Sequence, residues 1–286
     1  MLGMTMENNL AKYSLGLEWH PDLSQSIMEN LHELDCIEII AENFFYKNTE
    51  FLKVIGASNI PVLVHCVDTS LGSADGLDMK HLDSVKRIVD QVNAVNVSDH
   101  IALSRIDDVS LGQPVSLPFT NEALDVICEN LHTIQKHIKL PYLVENEANR
   151  FLYPNQEMEE WEFINQISRR SGCQILLDIT NTYTNSVNFR FDPKVWLSHL
   201  DLESVGVIHI AGGEYDSDGF LLDSHSRKVP DAVWDLFNYT LAWSDPTAII
   251  LERNSNLPTF PQLLGELQMA NHQMQIAKEG ARYELY

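Results

Sequence analysis

Side chains that bind metal ions recur at the ends of short apolar stretches along this chain. The stretches VLVH, VNVSDH, YLVE, ILLD, GVIH and IILE each close on a histidine or a carboxylate. A D-x-x-N element begins at the end of the fourth stretch, and a D-x-H pair follows the fifth. Imidazole nitrogen and carboxylate oxygen, without thiolate, suit a hard or borderline metal ion. The nine candidate ligands are His65, His100, Glu145, Asp178, Asn181, His209, Asp223, His225 and Glu252.

Each of these residues taken alone has an ordinary explanation. A histidine at a strand end is usually a hydrogen-bonded core or rim residue, a carboxylate there is usually a helix cap or an ion-pair partner, and D-x-H is compatible with a polar loop. Six successive strand ends with donors are harder to explain singly, because buried charge and imidazole are costly to leave unpaired. We therefore predict a cluster of two or three ions, with Glu145 and Asp178 as bridging carboxylates.

The elements that must position these donors alternate between apolar, β-branched runs and helical patterns. We predict strands at 13–19, 36–41, 61–65, 94–99, 141–145, 173–178, 205–210 and 247–252, and helices that include 78–92, 121–137, 158–171 and 231–243. Thr120 and Pro230 resemble helix starts, and Gly172 resembles a helix stop.

Eight such strand–helix units predict the α/β class, as a single (β/α)8 TIM barrel domain over residues 1–286 with the metal site at the C-terminal ends of the strands. The alternative is an open doubly wound sheet. A dinucleotide-binding sheet of that kind would need a glycine-rich turn after its first strand. Here the first strand runs into Glu18-Trp19-His20-Pro21.

The formal net charge of −22 argues against a nucleic-acid partner, because an acidic surface repels phosphate backbones. The four cysteines form no C-x-x-C pair and no disulfide framework, which favours a cytoplasmic protein. The N-terminus lacks the apolar core of a signal peptide, and no apolar run is long enough for a membrane span.

Three residues beside the predicted ligands are candidates for orienting a ligand or positioning a substrate. Asp99 could orient a ligand by hydrogen bonding. Asn146 and Arg253 each follow a ligand and could position a substrate, although a structural salt bridge explains Arg253 equally well. Cys66 is expected to point to the opposite face of its strand from His65, as a small buried hydrophobe. The remaining histidines fall on helical or loop patterns and are expected to be solvated, namely His20, His32, His81, His132, His137 and His199.

An ordered series of motifs resembles a known family over nearly the whole chain. These are SLGSADGLD (70–78), VSDHIA (97–102), LVEN (143–146), LLDITN (176–181), VIHIAGG (207–213), LLDSH (221–225) and LERN (251–254). They are similar to those of the multinuclear non-haem iron-dependent oxidases, the family of the methanobactin-biosynthesis oxidase, formerly a family of unknown function. The resemblance covers about residues 16 to 264.

The resemblance implies an iron-containing (β/α)8 barrel with two or three iron ions and with all nine candidate ligands in place. It further implies O2 as co-substrate and modification of a ribosomally made precursor peptide, most often at cysteine. Such enzymes pair with a small partner protein that binds the leader of the peptide, and the stretch 106–118 is one place where a partner could dock.

The chain also departs from this family's pattern at positions near the substrate. Cys66 stands where many relatives have glycine, Glu147-Ala148 replaces the usual proline and serine, and Asn254 replaces an aspartate. These departures leave the substrate and the product open.

Two other functions fit the donor series. A zinc-dependent phosphodiesterase or sugar isomerase would use a similar barrel, but Asn181 stands where endonuclease-IV-type enzymes have a histidine, and the charge opposes a DNA substrate. A non-catalytic iron-binding subunit is the third possibility, and retention of all nine donors argues against it.

Overall fold

The computed structural model describes residues 10–47, 50–106 and 109–283, of which 278–283 are described by their backbone alone. Its strands are β1 Ser14–Glu18, β2 Cys36–Ile40, β3 Val62–Cys66, β4 Asn96–His100, β5 Ala102–Ile106, β6 Val109–Ser116, β7 Tyr142–Glu145, β8 Gln174–Asp178, β9 Val205–Ile210, β10 Glu214–Tyr215, β11 Leu221–Leu222 and β12 Ala248–Leu251. Its α-helices are α1 Ser24–Glu29, α2 Glu50–Ala57, α3 Met79–Val92, α4 Asn121–Ile138, α5 Glu160–Ser171, α6 Ile179–Phe189, α7 Pro193–His199, α8 Asp231–Leu241 and α9 Phe260–Tyr283.

Eight parallel strands close into a barrel in the order β1-β12-β9-β8-β7-β4-β3-β2, with helices between them. The predicted TIM barrel is confirmed, and the eight predicted strands match its eight strands to within about two residues at each end. The alternative of an open doubly wound sheet is excluded by the pairing of β1 with both β12 and β2.

The core consists of two layers because the strands are buried on both faces. The larger layer lies between the strands and the surrounding helices. A smaller plug fills the inside of the barrel below the donor residues, and it is formed by Cys36, Leu63, Leu143, Leu176, Val207, Ala248 and Ile250. Cys66 is fully buried, as expected for a small hydrophobe.

Helix ends follow the local signals in the sequence. The Thr120 hydroxyl accepts a hydrogen bond from the Ala123 amide at the start of α4, and Asp78 caps α3 in the same way. Gly172 ends α5 with a φ of 72°, in the left-handed region that glycine adopts at little cost. Pro230 precedes α8 without a side-chain cap.

Two antiparallel hairpins that the sequence patterns did not predict stand on the loops of the barrel. β5 pairs with β6 after the fourth barrel strand, and β10 pairs with β11 after the seventh. The hairpin of β5 and β6 occupies most of the stretch 106–118, in which residues 107 and 108 lie outside the described part of the chain.

Gly212 and Gly213 let the loop after β9 fold back over the barrel. A Cβ on Gly212 would lie 2.2 Å from the Lys228 carbonyl oxygen, and one on Gly213 would lie 2.2 Å from that of Leu222. The Gly212 carbonyl accepts a hydrogen bond from the Arg227 amide at 2.9 Å. This close backbone approach holds the segment that carries Asp223 and His225 above the strand ends.

Substitution of Gly212 by alanine tests this role. We expect Gly212→Ala to lower the free energy of unfolding by about 1–3 kcal/mol, because the added methyl group forces the two backbones apart. Chemical denaturation of the metal-free protein measures the change. Gly265→Ala is the control, because nothing lies within 4 Å of a Cβ at that helical position and alanine there should stabilise the helix by up to about 1 kcal/mol. A Gly212→Ala variant as stable as the unaltered protein would show that the loop moves aside without cost.

Candidate metal centre

The register of the barrel strands places donor residues side by side. In parallel pairing, Glu18 lies opposite Glu38, His100 opposite Glu145, and Asp178 opposite His209. Side chains at equivalent positions of neighbouring strands point to the same face. The donors therefore meet at the C-terminal end of the barrel although they are far apart in sequence.

Donor atoms from these strands gather into four overlapping groups, and within each group they lie within 4.8 Å of one another. The groups are His65, His100 and Glu145; Glu145, Asp178 and His209; Glu38, His209 and Glu252; and Glu18, His225 and Glu252. Seven of the nine predicted ligands belong to a group. The Asp223 Oδ1 atom lies 2.6 Å from His225 Nε2, and Asn181 lies beside Asp178 in the first turn of α6.

Glu145 and Glu252 are placed to bridge metal ions. Oε2 of Glu145 lies 3.4 Å from Nε2 of both His65 and His100, while its Oε1 lies 3.4 Å from Nδ1 of His209. Glu252 places Oε1 3.3 Å from His209 Nδ1 and Oε2 3.7 Å from His225 Nδ1. Donors bound to one ion at about 2.0–2.2 Å cannot be more than about 4.4 Å apart, which these separations satisfy. The geometry thus adds Glu252 to Glu145 and Asp178 as a candidate bridging carboxylate.

Many of the donor atoms are buried without a hydrogen bond to any group outside the donor set among the described residues, although Glu38 Oε1 and His225 Nε2 each lie close to another donor, at 2.8 and 2.6 Å. The set includes Glu145 Oε2, Asp178 Oδ2, Asn181 Oδ1, Glu252 Oε2, His225 Nε2, both carboxylate oxygens of Glu38 and both ring nitrogens of His209. Buried polar atoms are almost always satisfied in native proteins. Cations at the centre of the groups would satisfy these atoms together, so the donor set fits a metal cluster.

Glu18 and Glu38 are two donors that the sequence prediction missed. Glu38 is fully buried, and its Oε1 lies 2.8 Å from His209 Nε2. Glu18 is 8% exposed and groups with His225 and Glu252. The signal was present in both strands, because Glu18 closes SLGLE as the other donors close theirs, and Glu38 interrupts the apolar run CIEII.

The protonation of the metal-free site follows from burial and mutual charge. Burial lowers the pKa of His65, and the neighbouring His100 and His209 lower it further. Burial also opposes charge on His209, but Glu252, Glu38 and Glu145 outweigh it and raise the pKa of that imidazole well above its usual value. Burial raises the pKa of Asp178, to which the carboxylates of Asp223 and Glu252 contribute. Metal binding would release the protons held in this way.

Hydrogen bonds hold several donors in a binding orientation. Ser98 Oγ lies 2.8 Å from His65 Nδ1, which leaves Nε2 facing Glu145. Asp178 caps α6 by accepting from the Asn181 amide through Oδ1, so its Oδ2 stays available. The helix-cap explanation therefore holds for Asp178, and the cap leaves one carboxylate oxygen free for the predicted role as a ligand.

Asn146 is hydrogen-bonded to two of the predicted ligands. It is 2% exposed. Its side-chain amide accepts from the Asp178 amide nitrogen and donates to the Asp178 carbonyl, at 2.9 and 3.0 Å. Its carbonyl accepts from Asn181 Nδ2 at 3.0 Å, which directs Asn181 Oδ1 away from this contact.

Arg253 forms a salt bridge with a helix, and Asp99 is hydrogen-bonded to backbone amides. Arg253 is 5% exposed and donates to both carboxylate oxygens of Glu266 in α9 at 2.9 Å, so the salt-bridge explanation holds. Asp99 accepts from the backbone amides of His100 and Thr69. Its Oδ1 lies 3.8 Å from His100 Nδ1, too far for a hydrogen bond to the ring.

The expectation that the other histidines are solvated is wrong for His81. This residue is 8% exposed, packs against Phe45 and lies 3.2 Å from Glu42 Oε1. It lies on the buried face of α3 together with Leu82 and Val85, and this face packs toward the barrel. His32, His132 and His199 are exposed as expected.

A cleft opens beside the donor groups. Its volume is about 480 Å³, and its lining includes Glu147, Arg150, Phe151 and Asp223 together with residues 113–116 of the β5–β6 hairpin. Glu147 and Asp223 connect this cleft to the donors, so a substrate in it would lie against the metal centre.

A second cavity of about 450 Å³ lies outside the barrel between α5 and α7. Glu160 lines it, accepts a hydrogen bond from Asn149 Nδ2 at 2.9 Å, and lies near Trp161 and Trp196. Burial among these groups raises the pKa of Glu160 to about 7.

Comparison with known proteins identifies the family. The sequence profile described as RiPP precursor modification enzyme MbnB/TglH/ChrH matches residues 14–275. The chain belongs to this family. It is therefore one of a group of enzymes that modify ribosomally made precursor peptides, in line with the resemblance seen in the motifs.

Relatives and structural neighbours agree with this assignment. A UPF0276 protein of Caulobacter vibrioides is 32% identical over 93% of this chain and 96% of its own length. One from Rhizorhabdus wittichii is 35% identical over 83% and 85%. Among solved structures, endonuclease IV from Thermus thermophilus has a TM-score of 0.55 at 16% identity, covering 94% of this chain and all of its own.

A xylose isomerase domain protein from Planctomyces limnophilus has a TM-score of 0.59 at 10% identity, covering 95% of this chain and 99% of its own. At such low identity these two structures show a shared barrel fold and nothing about the reaction. Among the described residues, the chain has no helix that is long and apolar enough to cross a bilayer.

The bridging position of Glu145 leads to a prediction about metal content. We expect Glu145→Gln to bind about one ion fewer than the unaltered protein, because an amide supplies one neutral oxygen donor in place of a bridging carboxylate. Elemental analysis after anaerobic reconstitution measures the content. Glu159→Gln, an exposed glutamate at the second cavity, should keep the full complement. Full metal content in Glu145→Gln would contradict the bridging role.

The raised pKa of Glu160 predicts a pH dependence of stability. The folded protein holds this proton more tightly than the unfolded chain, so the contribution of Glu160 to stability should decline as pH rises from about 4.5 to about 7. Glu160→Gln should lack this decline and gain stability relative to the unaltered protein between pH 5 and pH 8. Denaturant titrations of the chelator-treated proteins at both pH values measure it. Parallel pH profiles would rule out a tightly held proton at Glu160.

Proposed function

We propose that this enzyme is a multinuclear iron-dependent oxidase that uses O2 to modify a ribosomally synthesised precursor peptide, most readily at a cysteine. The observation that carries the proposal is the convergence of buried nitrogen and oxygen donors into overlapping groups that share Glu145 and Glu252. Membership of a family of peptide-modifying enzymes supports the choice of substrate class.

The donor chemistry supports iron. All of the gathered donors are imidazole, carboxylate or amide groups, and the four cysteines are buried outside these groups. Such a set suits iron and leaves room for a substrate thiolate as an added ligand. Two or three iron ions, when bound, would supply one-electron and O2 chemistry. His65, His100, Glu145, Asp178, Asn181, His209, Asp223, His225 and Glu252 would hold them, and Glu18 and Glu38 lie close enough to contribute.

The protein's own contribution is to hold this centre in place and to shield it. The barrel plug closes the site from below, and the Ser98, Asn146 and Asp99 hydrogen bonds fix the ligands from behind. The cleft beside the β5–β6 hairpin reaches Glu147 and Asp223. An extended peptide segment in that cleft could present one side chain to the metal centre.

We further propose a heterodimer with a small leader-binding partner protein and a barrel domain that takes in the whole chain. The hairpin of β5 and β6 supports a docking role because it projects from the barrel and exposes Val109 and Leu111 next to the cleft. A partner on this hairpin would hold a leader peptide near the entrance to the site. A cytoplasmic location suits unpaired, buried cysteines.

Anaerobic reconstitution tests the proposed reaction. Purified protein with ferrous iron, partner protein and a cysteine-bearing precursor peptide should leave the peptide mass unchanged until O2 enters, after which mass spectrometry should detect a modified product. His209→Ala should abolish the change, because it removes the imidazole that contacts two of the donor groups.

Two outcomes would contradict the proposal in different ways. Modification of the peptide without O2 would exclude an oxidase. A colourless protein that retains zinc and hydrolyses phosphodiesters would favour the alternative enzyme class, and firm iron binding without turnover of any precursor peptide would favour a non-catalytic subunit.

A further inference from the structure

Glu147 is a buried carboxylate at the boundary between the metal centre and the cleft. It follows β7 two residues beyond Glu145, and it lines the cleft together with Asp223. Its side chain is 11% exposed, and its Oε1 atom is buried with no hydrogen-bond partner among the described residues. It was not among the ligands expected from the sequence.

The distances around His100 place this carboxylate within reach of an ion. Glu147 Oε1 lies 4.0 Å from His100 Nε2, the same nitrogen that lies 3.4 Å from Glu145 Oε2. Two donors on one ion at about 2.0–2.2 Å are separated by at most about 4.4 Å. The observed separation of Glu147 Oε1 and His100 Nε2 therefore allows both atoms to bind the same ion.

The charge around Glu147 favours the same conclusion. Its charged neighbours are His100, Glu145, Asp223 and Asp99, so three carboxylates and a single imidazole surround it. A buried carboxylate in such surroundings is costly unless it gains a cation. His100 cannot serve as that cation once its Nε2 binds a metal, because a ligating imidazole is neutral.

We propose that Glu147 is an additional ligand of the ion held by His65, His100 and Glu145, bound on the side of that ion that faces the cleft. The inference rests on the proposed metal centre. Glu147 is not among the donors that already lie within 4.8 Å of one another, so binding requires a small rotation of its side chain toward His65, for which the adjoining cleft leaves space. The added carboxylate would make the ligand set of this ion more negatively charged and would leave the ion fewer open coordination positions.

Cobalt(II) binding to the full-length, metal-free protein tests the proposal without any peptide substrate. The visible absorption of cobalt(II) depends on the number and type of its ligands. We expect Glu147→Gln to weaken binding at one position by about tenfold or more and to alter the cobalt spectrum. Glu159→Gln is the matched control and should behave as the unaltered protein.

A double substitution separates a direct ligand from an indirect effect. His100→Ala should remove the same ion, and Glu147→Gln should then cause no further loss, because both residues act on one position. Glu147→Ala, checked for folding by circular dichroism, should reproduce the effect of Glu147→Gln. Unchanged cobalt spectra and affinities in both Glu147 variants would overturn the proposal. Failure of the unaltered protein to bind cobalt or iron would instead overturn the metal centre itself.

Discussion

The burial of negative charge at one end of the barrel is the constraint on which the rest of this structure depends. The carboxylates of the donor groups are nearly or fully buried at this end, and they are Glu18, Glu38, Glu145, Asp178 and Glu252. Four imidazoles lie among them, and several atoms of both kinds lack hydrogen bonds. Protons compensate part of this charge in the metal-free site, and a cluster of cations would compensate all of it.

This constraint explains features that otherwise look unrelated. Glycine at 212 and 213 allows the loop after β9 to pack against the backbone of Leu222 and Lys228, which leaves no room for a Cβ. This packing places His225 Nδ1 3.7 Å from Glu252 Oε2. His225 itself has a φ of 45°, a region that costs energy for a residue with a Cβ. Asn254 holds it there, by donating its backbone amide to the His225 carbonyl and by placing its side-chain amide 3.2 Å from Nδ1. Strain of this kind is typical of functional sites.

The same barrel fold serves sugar epimerases and endonuclease IV, and the difference lies in what stands at the strand ends. In this chain the cleft beside the donor groups has a volume of about 480 Å³ and is lined by one arginine and by the acidic side chains of Glu147 and Asp223. An excess of 22 negative charges over the molecule disfavours a polyanionic substrate. A peptide is consistent with both observations and with the family to which the chain belongs.

The ligand list shows how far sequence patterns reach. Donors at strand ends could be found one by one, because an apolar run that stops at a histidine or a carboxylate is visible without any structure. Glu38 was missed because it lies within its strand rather than at the end, and Glu18 because its run is short and mixed. The contacts of Asn146 could not be read from the sequence for a different reason: its partners are Asp178 and Asn181 on the next strand and helix, and their proximity arises only from the pairing of β7 with β8.

The sequence by itself determined the eight strand–helix units, the barrel that they form and most of the residues that face its open end. These properties follow from local periodicity and from residue type, which short stretches of chain carry on their own. Only the tertiary structure decided which donors share a group, which side chains hold them by hydrogen bonds, and that Glu147 lies between the donor groups and the cleft. Those relations depend on strand register and side-chain direction between segments that are distant in sequence.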